Sequence, residues 1–170
     1  GVQTCALPIC RILHDMYDIG ISALPLPAEG VSPNYLAELD VCVVMSKSHR
    51  LADRPALSAG DLRNEPYIAL DKTTLLRKVI DEDLARSGEV LRVMHEVSSS
   101  SAALRLAMAG LGFTLTDRIA LDPAMMDHLA IIPWLPNIKE KLGYFVSETA
   151  MPHVARQSFI RCLQEICENF

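Results

Sequence analysis

Residues 66–88, PYIALDKTTLLRKVIDEDLARSG, carry the clearest secondary-structure pattern of the chain. This stretch opens with a short apolar run followed by a polar break, a pattern that is typical of a buried strand. Thr73 or Thr74 then caps a helix, because apolar residues recur at helical spacing from Leu75 onward. Gly88 ends the helix, as glycine commonly does. A strand, a short loop and a helix in this order predict an α/β fold.

The same alternation continues on both sides of this stretch. A strand at residues 91–97 and a helix at 102–109 follow directly. We predict further strands at 17–24, 41–45, 112–116, 130–134 and 141–147, a loop at 28–34, a capped helical turn at 58–62, and a last helix at 153–167 with an apolar stripe of Phe159, Cys162, Leu163 and Ile166. Strands and helices that alternate with short connections predict mostly parallel sheets.

The composition is that of a globular chain, with half of the 170 residues hydrophobic and 22% charged. The formal net charge of −5 argues against nucleic-acid binding by this chain, since phosphate contacts need a positive surface. No apolar run approaches the roughly 20 residues that a membrane-spanning helix needs. We therefore expect a protein that does not contact a membrane, and the unpaired cysteines favour the cytoplasm.

The cysteines and histidines give no sign of a metal site. The five cysteines are Cys5, Cys10, Cys42, Cys162 and Cys167. No two of them form the close pair that a zinc site needs, and no two histidines lie at i and i+4. We interpret the cysteines as buried free thiols in a reducing compartment. The sequence thus predicts neither a metal nor a cofactor.

Residues 1–9, GVQTCALPI, lack both the basic start and the continuous apolar core of a signal peptide. This stretch resembles the translation of a widely used sequencing-adapter oligonucleotide. We interpret residues 1–10 as an adapter-derived scar, with Cys10 at the junction, and leave them out of the predicted fold. A genuine N-terminal tail is the alternative. If the stretch is a scar, whatever preceded Arg11 is missing from this chain.

Two hydroxyl-rich loops lie between a predicted strand and a predicted helix. One is the run Ser98, Ser99, Ser100 and Ser101, and the other is residues 71–74 with Thr73 and Thr74. Backbone N–H groups and hydroxyls at a helix N-terminus bind carboxylates and phosphates. Plain N-capping is the alternative for both loops, although it needs one serine of the four. The two loops predict a small-molecule cleft, which Ser22 in the other half of the chain would also face.

Recognisable catalytic motifs are absent from the sequence. No serine lies in a GxSxG elbow. No HExxH or Walker pattern occurs, and no GxGxxG pattern opens a helix. The sequence therefore predicts a protein that is not an enzyme.

Three segments together resemble the effector-binding domain of LysR-type transcription regulators. Residues 43–52 (VVMSKSHRLA) resemble the family's strand followed by HPLA, and residues 61–68 (DLRNEPYI) resemble its DL…EPFI stretch. Residues 104–115 (LRLAMAGLGFTL) resemble its LVAAGLGIAL stretch. The order and spacing of the three segments also fit, and the resemblance covers residues 11–170.

Two departures from the family pattern resemble one subgroup. Arg50 stands where the family usually has proline, and Asp117 stands where most members have the proline after the third segment. Both choices are similar to regulators of lysine biosynthesis and of opine catabolism, as are Thr74, Leu75, Arg77, Ile80 and Asp81. This resemblance implies an amino acid or amino-acid conjugate as the effector.

The family resemblance implies an α/β fold like that of type 2 periplasmic binding proteins, with two α/β lobes and a ligand cleft between them. One lobe would comprise residues 11–46 and 146–170, and would be incomplete. The other would comprise residues 47–145. The effector would bind at Ser22 of the first lobe and at Thr73, Thr74, Ser98, Ser99, Ser100 and Ser101 of the second, with its carboxylate at the serines.

The resemblance also implies that this chain is the sensing part of a regulator that forms a homo-oligomer, either a dimer or a tetramer. DNA would be bound by a winged helix-turn-helix domain before Arg11 that this chain lacks. A solute-binding protein of a bacterial transport system is the main alternative, although the unpaired cysteines and the regulator motifs argue against it. An interaction domain with an empty cleft is a third possibility.

Overall fold

The computed structural model describes residues 7–25, 29–151 and 153–167 of the chain. The chain divides into a first unit, Gly1–Glu38 with Lys141–Phe170, and a second unit, Leu39–Glu140. It passes between them within two long strands, β2 (Val31–Ser46) and β8 (Lys139–Ser147). The predicted boundaries, 46/47 and 145/146, lie near the carboxyl ends of these strands. A sequence pattern indicates where a strand ends, but it does not indicate at which residue the strand passes from one unit to the other.

The second unit combines a mixed sheet with helices. Its elements are β3 (Leu57–Ser58), α2 (Ala59–Leu62), β4 (Pro66–Leu70), α3 (Leu75–Ser87), β5 (Arg92–Val97), α4 (Ser100–Met108), β6 (Phe113–Asp117), two 3₁₀ turns (Arg118–Ala120 and Pro123–Met125) and β7 (Leu129–Leu135). Strand β4 pairs in parallel with β5 and β6, and β3 pairs in parallel with β7. Strand β2 pairs antiparallel with β6 and β7. The sheet is therefore mixed, and the expectation of mostly parallel pairing is wrong.

In the second unit, the buried residues follow the regular spacing of strands and helices. Residues 43–45 of β2 are fully buried, as expected for a strand that is covered on both faces. In α3 the buried residues Leu76, Ile80 and Leu84 recur every four positions, so that the helix has one apolar face. Burial of each of these side chains stabilises the fold by about 2 kcal/mol.

A close backbone approach accounts for the second glycine of the segment 104–115. Gly112 has a φ of 148°, and a Cβ atom at this position would meet the carbonyl oxygen of Pro66. The missing side chain lets β6 lie directly against the start of β4. There the rings of Tyr67 and Phe113 stack with their centroids 5.1 Å apart.

The first unit contains α1 (Leu7–Leu13), β1 (Gly20–Leu24), the start of β2, most of β8, and α5 (Val154–Cys167). Strand β1 pairs antiparallel with β8, from Gly20 opposite Phe145 to Leu24 opposite Lys141. The buried cluster of this unit comprises Ile9, Ile12, Val31 and Phe145. None of the described side chains of α5 is buried, and Phe159 and Ile166 of its predicted apolar stripe are exposed.

Most predicted strands and helices are confirmed to within a few residues, but β2 begins earlier than expected. The loop predicted at 28–34 rested on Gly30 and Pro33. Residue 28 lies outside the described residues, and β2 already begins at Val31. Gly30, with a φ of 80°, completes the turn before the strand. A proline such as Pro33 is compatible with a strand position that need not donate a ladder hydrogen bond.

The N-terminal stretch and the cysteines also differ from expectation. Residues 1–6 lie outside the described residues, but Leu7–Leu13 form a helix and Ile9 is buried, so part of the stretch that we left out belongs to the fold. The origin of residues 1–10 stays a prediction.

Cys42 is a buried free thiol as predicted, whereas Cys162 is exposed and Cys10 is disulfide-bonded. No described helix is long and apolar enough to cross a membrane.

Candidate functional site

The two hydroxyl-rich loops lie side by side in the second unit. Strands β4 and β5 are parallel neighbours, with Leu70 opposite Val97, so their carboxyl ends meet at one edge of the sheet. The Asp71 N–H donates to the Val97 carbonyl over 2.9 Å and joins the two loops at their first residues. Helices α3 and α4 begin directly after these loops. Ligands of α/β proteins commonly bind outside the carboxyl ends of such strands.

In the loop before α3, both threonine hydroxyls bond within the loop. The Asp71 Oδ1 atom accepts from the Thr73 N–H over 2.8 Å and from the Thr73 hydroxyl over 2.6 Å. The Thr74 hydroxyl donates to the Asp71 carbonyl over 2.8 Å and accepts from the Arg77 N–H over 3.3 Å. The hydrogen bonds from the side chain and then the backbone of Thr73 lower the pKa of Asp71. The threonines thus fix an ionised Asp71 and cap α3.

In the loop before α4, the serines divide their roles. The Ser99 hydroxyl caps the helix by accepting from the Ala102 N–H over 3.4 Å, and it lies 3.3 Å from the Ser101 hydroxyl. Ser100 is the first residue of the helix and is half-buried, whereas Ser98 lies before the cap. The N–H groups of a helix's first turn have no acceptor within the helix and carry its positive dipole end. This end of α4 therefore favours an anionic group.

A pocket of about 420 Å³ lies where the two loops meet, lined by Asp71, Glu96, Val97, Ser98 and Ala102. Of the predicted site residues, Ser98 lines this pocket, while Thr73, Thr74 and Ser99 support its walls from within the loops. Sequence reasoning missed Asp71 and Glu96 as lining residues. A signal for Glu96 was present, because alternate residues of a strand share a face and Glu96 lies two positions before Ser98.

Behind the pocket, Arg77 ties α3 to the ends of both strands. Arg77 is 5% exposed. Its Nη1 atom donates to the Leu70 carbonyl over 2.8 Å and lies 3.5 Å from Glu96 Oε2, while its Nε atom donates to Asp81 Oδ1 over 2.8 Å. Burial acts to lower the pKa of Arg77, but the hydrogen bond and charge of Asp81 raise it above its ordinary value. The guanidinium is therefore charged and orients the Glu96 carboxylate.

The seventh predicted site residue, Ser22, lies in the first unit. It is half-buried in β1, opposite Gly143 of β8. The other six predicted residues all lie in the second unit. Among the described residues, no group of three or more His, Cys, Asp or Glu side chains is placed to hold a metal ion.

Comparison of sequences relates the chain to transcriptional regulators. A family model described as "LysR substrate binding domain" matches residues 3–168. The chain is similar to the HTH-type transcriptional regulator CysL of Bacillus subtilis, with 26% identity over 129 residues that are 75% of this chain and 43% of that protein. It is also similar to a probable RuBisCO transcriptional regulator of Cyanophora paradoxa, with 31% identity over 130 residues, 73% of this chain and 40% of that protein. The chain thus spans less than half the length of these relatives.

Solved structures share the fold. The effector binding domain of QuiR in complex with shikimate has a TM-score of 0.78 at 15% identity, and covers 95% of this chain and 77% of its own. The regulatory domain of Synechocystis PCC6803 CcmR in complex with 2-PG has a TM-score of 0.77 at 18% identity, with coverages of 95% and 78%. The fold is that of LysR effector-binding domains, like the type 2 periplasmic binding proteins, as predicted. This chain belongs to the LysR substrate binding domain family.

Proposed function

We propose that this chain senses a small-molecule effector for a LysR-type transcription regulator, and that the effector binds in the pocket of the second unit. The pocket carries the proposal, because it lies at the carboxyl ends of two parallel strands and beside the N-terminus of α4. Family membership supports the sensing role. Two proteins of the same fold, QuiR and CcmR, were solved with the small molecules shikimate and 2-PG.

The proposed effector is an amino acid or an amino-acid conjugate. Its carboxylate would lie at the serine loop, where hydroxyls and first-turn N–H groups of α4 supply hydrogen bonds and the helix dipole supplies a positive potential. In this proposal Ser98, Ser99, Ser100 and Ser101 form the carboxylate subsite. Thr73 and Thr74 serve it indirectly, by holding Asp71 and the start of α3 in place. A role for Ser22 stays a prediction, which Ser22→Ala would test.

In the intact regulator, we propose that effector binding biases an equilibrium between two conformations that differ in DNA binding. The regulator would act in the cytoplasm as a homo-oligomer and bind DNA through a separate helix-turn-helix domain. A role as a transport solute-binding protein is less favoured, because the relatives with the same sequence pattern are named as transcriptional regulators.

A thermal-shift screen of the chain against amino acids and opines tests this function. At a ligand concentration of 100 times Kd, binding stabilises the folded state by about 2.7 kcal/mol. For a chain of this size that raises the Tm by about 5–10 °C. Stabilisation by aromatic acids, with none by amino acids or opines, would overturn the effector class.

The double variant Ser99→Ala with Ser100→Ala tests the carboxylate subsite. We expect it to weaken binding of the best ligand of the screen at least tenfold by calorimetry, because two hydroxyls are lost at the helix start. Ser58→Ala, which removes the N-cap serine of α2 outside the pocket, is the matched control. It should cost about 1 kcal/mol of stability at most and leave the Kd unchanged. If the double variant binds as tightly as the parent, the serine run is a cap and not a subsite.

A further inference from the structure

The charges that line the pocket are unevenly distributed. Of the five described residues that line it, Asp71 and Glu96 are acidic and none is Lys or Arg. Asp71 is held ionised by Thr73, whose hydrogen bonds lower its pKa. The start of α4 supplies positive potential at Ser98, but Asp71 and Glu96 supply negative charge on the adjoining wall. A ligand that fits both parts needs a cationic group next to its carboxylate.

We propose that Glu96 determines effector specificity by binding a cationic nitrogen of the ligand. This inference rests on the proposed function, and it adds the group that distinguishes a zwitterionic effector from a plain carboxylic acid. The Glu96 side chain is 44% exposed, so it is open to a ligand. Its carboxylate offers about four acceptor positions, and ion pairing with Arg77 engages one side of it.

Arg77 forms an ion pair with Glu96 in the wall of the pocket. The guanidinium is buried and bound to the Leu70 carbonyl and to Asp81, so it has no freedom to follow a moving partner. Its contact with Glu96, 3.5 Å between Nη1 and Oε2, is longer than its other two contacts. Arg77 thus orients the carboxylate without saturating it. An acceptor that an ion pair already restrains binds an ammonium group with less loss of entropy than an unrestrained side chain would.

The alternative is that Glu96 belongs to the framework of α3 and β5 and has no role toward a ligand. Glu89 is an example of a glutamate with such a purely structural role. It is bound by Arg63 Nη2 at 3.0 and 3.1 Å through its two oxygens, and it does not line the pocket. The two glutamates therefore form a matched pair of arginine-bound carboxylates, one in the pocket wall and one outside it.

The experiment uses pairs of ligands that differ in the amino group alone: L-norleucine with hexanoate, and L-glutamate with glutarate. Affinities are measured by calorimetry on the parent chain, Glu96→Gln, Glu96→Asp and Glu89→Gln. For the parent we expect each amino acid to bind at least tenfold more tightly than its deaminated partner. Glu96→Gln should remove most of that ratio, Glu96→Asp should keep part of it, and Glu89→Gln should leave it unchanged.

The outcomes separate the two proposals. If acids bind equally well with and without the amino group, and the Ser99→Ala with Ser100→Ala variant loses them all, the proposed function stands and the role of Glu96 is overturned. The same holds if Glu96→Gln keeps the full ratio. If no member of the panel and no amino acid, opine or aromatic acid of the screen binds the parent, the proposed function itself fails. An unchanged Tm in Glu96→Gln confirms that a lost ratio does not come from unfolding.

Discussion

The two units of the chain bury apolar surface very differently. In the second unit the buried cluster extends from β2 through β4 and β6 to α3 and α4, and it contains Trp134 and Phe113. In the first unit the cluster comprises Ile9, Ile12, Val31 and Phe145, and none of the described side chains of α5 is buried. Since buried apolar area is the main stabilising contribution to folding, we expect the stability of this chain to lie mainly in the second unit.

The contrast bears on the proposed function because the pocket lies in the well-packed unit. Both loops of the pocket begin at the ends of paired strands and lead into helices with buried faces. Binding groups on such elements are held in position by packing and need little reordering when a ligand arrives.

Replacing one buried aromatic residue in each unit should give the largest difference in stability between the two units. Trp134 is 1% exposed and its Nε1 donates to the buried Asp83 over 3.3 Å. We expect Trp134→Ala to lower the free energy of unfolding by about 4 kcal/mol, since it leaves a large cavity and removes the hydrogen bond to one oxygen of the buried Asp83 carboxylate. Phe145 is equally buried but lies in a small cluster that can collapse, so Phe145→Ala should cost about 3 kcal/mol, at the lower end for such a replacement. Urea unfolding followed by far-UV circular dichroism measures both.

An equal or larger loss at Phe145 would contradict the comparison and place as much of the stability in the first unit. Trp134→Phe separates the two causes of the larger loss. It keeps most of the ring volume and removes the hydrogen bond to Asp83, so its cost should be about 1 kcal/mol.

A buried carboxyl group at the end of the second unit gives a pH-dependent form of the test. Glu140 is 7% exposed, and burial, followed by the charge of Asp117, raises its pKa to about 7. The folded state therefore retains a proton that the unfolded chain releases near its ordinary pKa of 4.5. The stabilisation is fully present below that value and is lost as the pH rises through about 7.

We expect the parent to lose on the order of 2 kcal/mol of stability between about pH 5 and pH 8 relative to Glu140→Gln, which has no proton to release. Urea unfolding at several pH values measures the difference. Glu148→Gln, at an exposed position in the first unit, is the matched control and should follow the parent. A Glu140→Gln variant with the parent's pH dependence would show that Glu140 is ionised in the folded state.

The strands and helices of the second unit were also predicted best from the sequence. The strand Pro66–Leu70 and the helix that ends before Gly88 are as expected, because buried strands and one-sided helices leave regular apolar patterns. The antiparallel pairing of β2 with β6 and β7 was not predicted, since strand direction depends on contacts between residues far apart in the chain. In the first unit, α5 has the pattern of an amphipathic helix, and the pattern alone did not reveal that its apolar stripe is exposed.

The two predicted loops meet at the pocket, and Ser98 lines it. A role of these loops in ligand binding stays a prediction. The roles of Thr73 and Thr74 depend on their hydrogen bonds to Asp71, which loop composition does not specify. The ion pair between Glu96 and Arg77 was not predicted either, because Arg77 lies nineteen places earlier in the chain and the pairing of β4 and β5 brings the two close.

The smallest expected effect concerns the exposed stripe of α5. Ile166 is 55% exposed, so Ile166→Lys should change the free energy of unfolding by no more than about 0.5 kcal/mol. Ile80→Lys in α3, at a position that is 1% exposed, is the counterpart in the second unit and should prevent stable folding, because it buries an unpaired charge. Urea unfolding of both variants completes the comparison. A loss above about 1.5 kcal/mol for Ile166→Lys would mean that α5 buries its apolar stripe in solution, and the first unit would then be better packed than its buried cluster indicates.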